Sequence, residues 1–196
     1  GFVSRGLGDV YKRQVDLLHV DVGHSANRTV FTFIGIPEQV VEAAYQLIRL
    51  SAELIDMSRQ KGEHPRMGAT DVCPLVPYIG MELFEAVQFS QVLGKRVGED
   101  LGIPVYLYEA SASRPERRNL ATIRSGEYEG FQEKIYKENW RPDYGPQQFH
   151  SKSGQTVIGA RDFLVAYNIN LNTASVDIAK AIAGEIRESG VIKRID

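Results

Sequence analysis

Two hydrophobic periods alternate along this chain, and few architectures accept both. Val15–Asp21 alternates apolar and polar positions, and Arg28–Ile34 is a second strand, rich in β-branched and aromatic residues. GHSAN between them reads as a turn. From Glu38 to about Met57 the period changes: Val40, Ala44, Leu47, Ile48, Ala52 and Ile55 recur at helical spacing, and Pro37 stands where a first helical turn tolerates a missing N–H. The pattern then repeats. Ala69–Ile79 holds a strand that Pro74 and Pro77 confine to an edge or a bend. Met81–Leu101 is an amphipathic helix, Pro104–Tyr108 a short buried strand, and 115–138 a helical stretch broken near Gly126. A long loop, Trp140–Gly154, precedes strand segments at Thr156–Ile158 and Phe163–Asn170 and a helix over Ser175–Ser189. Strands interleaved with helices predict an α/β fold, a two-layer mixed sheet with helices packed on it.

Composition removes several function classes. With 43% hydrophobic residues in a length of 196, the chain can offset its ordering entropy by burial. No run approaches the roughly 18 to 20 consecutive apolar residues of a membrane span, so a soluble protein is expected. Lys and Arg number 23 against 25 Asp and Glu, interleaved, which argues against a nucleic-acid partner. Cys73 is the single cysteine, which excludes an intrachain disulfide and a cysteine-based zinc cluster and fits a reducing, cytoplasmic setting. Residues 1–14 differ from the rest. Gly6 and Gly8 lack the third glycine of a phosphate-binding turn, and the segment is read as an artefactual or disordered leader.

The loop Lys61–Asp71 (KGEHPRMGATD) is the most suggestive stretch for chemistry. Gly62 and Gly68 flank His64, the one side-chain type whose ordinary pKa lies near neutrality. Spacing alone leaves two readings: a general base, or a solvated loop histidine. Asp21, at a strand end, is either a functional carboxylate or the start of an Asx turn. Arg28 and Arg66 adjoin these segments and are candidates for binding a substrate carboxylate. Arg114, Arg117 and Arg118 read as the solvated start of a helix. His19, His24, His64 and His150 show no metal-ligand spacing, so no metal is expected.

Four segments, VDVGHSANRTVFTFIG (20–35), LIDMSRQKGEHPRMGATDVCPLVP (54–77), GIPVYLYEASASRPERRNLATIRSGEYEG (102–130) and GARDFLVAYNINLNT (159–173), resemble the glutamate formiminotransferase family, which also occurs fused to a cyclodeaminase. The resemblance implies transfer of a formimino group from N-formiminoglutamate to N5 of tetrahydrofolate, a step of histidine breakdown, in a homodimer whose folate lies between two α/β subdomains. It implies His64 as the general acid/base and Asp21 as its assistant. It also implies a folate-contacting loop of Gly145, Pro146, Gln147, Gln148, Phe149, His150, Ser151, Lys152, Ser153 and Gly154. On this reading 15–163 form the N-terminal subdomain without its first strand, and 164–196 begin the C-terminal one. Two other readings remain: a truncated folate-binding module without activity, and the transferase part of the bifunctional enzyme.

Overall fold

The computed structural model describes residues 15–164 and 171–186. The chain divides into two units between Phe163 and Leu164. In the first unit, β1 (Asp16–Gly23) and β2 (Arg28–Ile34) form an antiparallel hairpin in which Asp21 pairs with Val30 and Gly23 with Arg28. Asn27 closes the turn at φ 47°, a left-handed conformation that asparagine tolerates better than most residues, and its N–H donates to His24 O at 3.1 Å.

Helix α1 (Pro37–Leu54) starts with Pro37 in its first turn, as the sequence predicts, and ends three residues before Met57. Its buried stripe is Val41, Ala44, Tyr45 and Ile48, with Val40 and Ala52 at the margin. The stripe is turned from the predicted one because Tyr45 lies inside it, its ring covered by the Arg96 guanidinium at 3.6 Å. Helix α2 (Leu83–Leu101) begins where Glu82 N–H donates to the Glu85 carboxylate at 2.8 Å, and stops at Gly102, φ 63°.

Three short strands build a second sheet: β3 (Val72–Leu75), β4 (Val105–Leu107) and β5 (Thr156–Ala160), in the order β3-β5-β4 and all parallel. Pro74 therefore sits on an edge strand, where its missing donor costs no central pairing. The mixed pairing expected of one sheet is divided between a purely antiparallel hairpin and a purely parallel sheet. The parallel sheet is covered on both faces, one helical layer more than the two-layer expectation. Val105 and Ile158 join Val41, Ile48, Leu93 and Val97 on the α1/α2 side. Their strand neighbours Tyr106 and Val157 point the other way, into Met67, Ile123, Phe131 and Ile135. That second face is closed by α3 (Leu120–Arg124) and α4 (Glu127–Lys134), separated by Gly126 at φ 89°.

Arg117 corrects the sequence reading. It is 1% exposed, not solvated. Its guanidinium donates to Asp143 at 2.8 Å and to the carbonyls of Asn139 and Arg141 at 3.1 and 2.6 Å, and lies 5.0 Å from the Tyr106 ring centroid. A buried cation persists only with such partners. The predicted strand Phe163–Asn170 falls largely on residues outside the described ones, and Phe163 and Leu164 are not in a strand. In the second unit α5 (Val176–Ile186) occupies most of the predicted last helix, whose final residues also lie outside the described ones.

Candidate functional site

Three loops converge through backbone contacts that side chains would prevent. The hairpin turn docks on the histidine loop: Glu63 N–H donates to Ser25 O at 3.1 Å, and the Asn27 amide donates to Lys61 O at 2.8 Å and Gln60 Oε1 at 3.0 Å. Gly62 permits this, because a Cβ there would stand 2.4 Å from Ala26 O. The far end of the histidine loop joins the Gly145–Gly154 loop. Gly68 and Gly154 form an antiparallel bridge, and Ala69 N–H donates to Ser153 O at 2.7 Å. Asp71 fastens the same end by accepting from Met67 N–H at 3.0 Å and pairing with Arg124.

His64 is half-buried, and its ring is fixed at both nitrogens. Nδ1 lies 2.7 Å from Pro65 O, which can only accept, so Nδ1 carries the proton. Nε2 lies 2.6 Å from an Arg28 guanidinium nitrogen, which can only donate, so Nε2 presents its lone pair. The two contacts together define a neutral imidazole with its basic nitrogen under Arg28. Asp21 touches neither ring nitrogen. It is exposed on β1, and strand alternation puts it on the hairpin face that carries Arg28 and Val30. The structure thus brings Arg28 and His64 into contact and leaves Asp21 as a diagonal neighbour of Arg28.

Arg66 faces elsewhere. Its guanidinium donates to Glu129 at 2.6 Å, to Gln60 O at 2.8 Å and more distantly to Glu127 at 3.4 Å, so its charge is matched within the protein. The Arg66 hydrogen bond holds the Glu129 carboxyl below its ordinary pKa.

The Gly145–Gly154 loop is anchored along its length. Gly145, at φ 81°, and Pro146 pass over α2, where a Cβ on Gly98 would meet Gly145 N at 2.4 Å. Gln147 donates to Ile135 O at 3.0 Å, and Lys152 donates to Glu53 O at 2.6 Å, at the end of α1. His150 Nδ1 accepts from Ser153 N–H at 3.1 Å, Ser151 O accepts from the Tyr128 hydroxyl, and the rings of Tyr128 and Phe149 are 5.1 Å apart. Two open grooves border the loop. One, of about 560 Å³, is lined by Glu129, Gln132, Glu133, Tyr136, Gln148 and Phe149. The other, of about 260 Å³, is lined by Pro146, Gln148, Phe149, His150 and Ser151, with Gly102. Among the described residues no group of three or more His, Cys, Asp or Glu side chains is placed to hold a metal, and no helix is long and apolar enough to cross a membrane.

Sequence reasoning missed Asn27, Asp71 with Arg124, and Tyr128, all of which hold the loops rather than face a groove. Only Asp71 carried a local signal, a carboxylate four residues beyond the N–H it accepts from.

Residues 8–161 match the family described as the formiminotransferase domain, N-terminal subdomain. The chain belongs to that family. The match starts inside the segment that the sequence reading set apart as 1–14, so residues 8–14 lie within the family's span. A glutamate formimidoyltransferase of Streptococcus pyogenes serotype M1 is 50% identical over 176 residues, covering 90% of this chain and 59% of that protein. The formimidoyltransferase-cyclodeaminase of Gallus gallus is 54% identical over 174 residues, 89% of this chain and 32% of that protein. A glutamate formimidoyltransferase of Thermoplasma acidophilum is 49% identical over 175 residues, 88% and 57% respectively. The chain therefore spans less than two thirds of each of these relatives.

Proposed function

We propose that this formiminotransferase-family chain carries the acid–base centre of an enzyme that moves the formimino group of N-formiminoglutamate to N5 of tetrahydrofolate. The observation that carries the reading is the His64 ring, whose proton on Nδ1 is committed to Pro65 O and whose Nε2 offers a lone pair. Relatives at about half identity that are named for formimidoyl transfer involving glutamate support it.

Tetrahydrofolate, when bound, supplies the nucleophilic nitrogen. The groove of about 560 Å³ has the size of a small-molecule site, and Phe149 and Tyr136 offer it flat apolar faces, so the loop residues fit such a ligand. Gln148, Phe149, His150 and Ser151 would line its place, while Gln147, Lys152, Ser153 and the glycines hold the loop's shape. His64 Nε2 takes up the proton released as the new C–N bond forms, and returns it to the glutamate nitrogen as the old C–N bond breaks. One imidazole thus ends the cycle as it began. Arg28, exposed and beside Nε2, is the candidate for a substrate carboxylate. The reading includes a cytoplasmic homodimer.

In the full-length protein, His64→Ala should lower turnover roughly 10²- to 10⁴-fold with little change in folate affinity. Near-normal turnover would remove His64 from the mechanism. A second reading, that the chain is the transferase part of a bifunctional enzyme, rests on its likeness to 32% of the Gallus gallus formimidoyltransferase-cyclodeaminase; the complete reading frame decides it.

A further inference from the structure

The Arg28–His64 contact is unusual for a base, because the lone pair that must receive a proton is already covered. The guanidinium sits 2.6 Å from Nε2, and this is its one hydrogen bond among the described residues. Arg28 is exposed at the first position of β2, and the residue paired with it across the hairpin is Gly23, so no side chain opposes it. The neighbouring pair on that face is Asp21 with Val30, and diagonal neighbours on one face lie about 7–8 Å apart, within reach of a long side chain. The arginine thus has room to move and an anionic neighbour toward which to move. A guanidinium binds a carboxylate through two parallel charge-assisted hydrogen bonds, stronger than a single bond to a neutral imidazole nitrogen.

We propose that Arg28 gates the His64 base: without ligand its guanidinium caps the Nε2 lone pair, and a carboxylate of the donor substrate draws it aside and uncovers that nitrogen. The proposal rests on the transferase reading for the identity of the donor, but not for the gate. Its consequence is order. A basic imidazole left open in a solvated loop would activate water against the formimino carbon; a capped one becomes basic only when a carboxylate is seated. Asp21 then acts as a positioning residue through Arg28, by biasing the guanidinium between its two places, and not by touching the imidazole.

The test uses diethyl pyrocarbonate, which acylates the free lone pair of a neutral imidazole, with peptide mapping to separate His64 from His19, His24 and His150. Glutarate, a five-carbon dicarboxylate, is the probe. His64 of the unliganded chain should react slowly, and saturating glutarate should accelerate it about tenfold while the other three histidines hold their rates. Arg28→Gln should react fast with or without glutarate. Equal or slower labelling in glutarate, or an Arg28→Gln rate equal to the unmutated one, overturns the gate. His150, held by Ser153, reports folding; if its rate rises in Arg28→Gln, the comparison is repeated with Arg28→Lys, which keeps the charge but lacks the two-pronged fork and should respond to glutarate less than the unmutated chain. A response to glutarate as large as that of the unmutated chain in Arg28→Lys overturns the gate. Labelling needs no turnover, so the two readings fail separately: transfer without a glutarate response removes the gate alone, and a glutarate response without transfer removes the transferase reading alone.

Discussion

Cys73 shows how one side chain reports on the packing around it. It lies on β3 against the α1/α2 side of the core, and burial pushes its thiol from 9.0 up to about 12. The folded chain therefore keeps a proton that the unfolded chain surrenders. The stability this contributes is complete below pH 9.0 and is lost as pH rises toward 12. At about pH 8 a disulfide reagent should label native Cys73 roughly 10²- to 10³-fold more slowly than the urea-unfolded chain, since only the thiolate attacks. Equal rates would show an open thiol. That Cys73 packs as a small apolar group was legible in the sequence, because a lone cysteine between Val72 and Pro74 in a strand has few other uses. Arg117 was not legible. Its burial depends on Asp143 and on carbonyls more than twenty residues away, and sequence spacing carries no trace of that pairing. His64 falls between these cases: its loop was readable, but the cap on Nε2 comes from Arg28, at the start of β2 and thirty-six residues earlier.

Elements meet at glycines here, and their spacing is tighter than any side chain allows. Gly154, at φ 67°, would place a Cβ 2.2 Å from Met67 O, where the histidine loop and the Gly145–Gly154 loop bridge. Gly154→Ala should cost about 2 kcal/mol or more, from the left-handed backbone and the displaced carbonyl together. Urea denaturation measures the loss, and hydrogen exchange at Ala69 N–H, which donates to Ser153 O, should quicken in step. An unchanged midpoint would mean that the loops part at no cost. Strands and helices were largely readable from periodicity, and Gly126 and Pro74 marked their interruptions. The α1 stripe was set a position aside because Tyr45 is amphipathic, and only the Arg96 that covers its ring assigns it to the interior. The second helical layer escaped notice because short strands buried on both faces lack the alternation that marks a one-sided sheet.

Across the whole first unit, the α/β class was readable from the order of segments, whereas the pairing of strands was not, since β3 and β4 both lie against β5 and not against each other. That arrangement bears on how the chain is made. The central strand of the parallel sheet is the last of its strands to leave the ribosome. About 80 residues separate Leu75 from Thr156, so at roughly 5–20 residues per second β3 waits on the order of 4–16 s for a partner. The residues of helices α1 and α2 have been made by then but have no finished sheet to cover. Nascent chains stalled with β5 still inside the exit tunnel should be cut readily by low protease, and chains stalled far enough on to release Ala160 should resist. Equal sensitivity at the two lengths would mean that the helices fold without the sheet. Until β5 emerges, this unit would present unpaired strands to whatever shields them in the cell, and its release is the step at which the sheet can close.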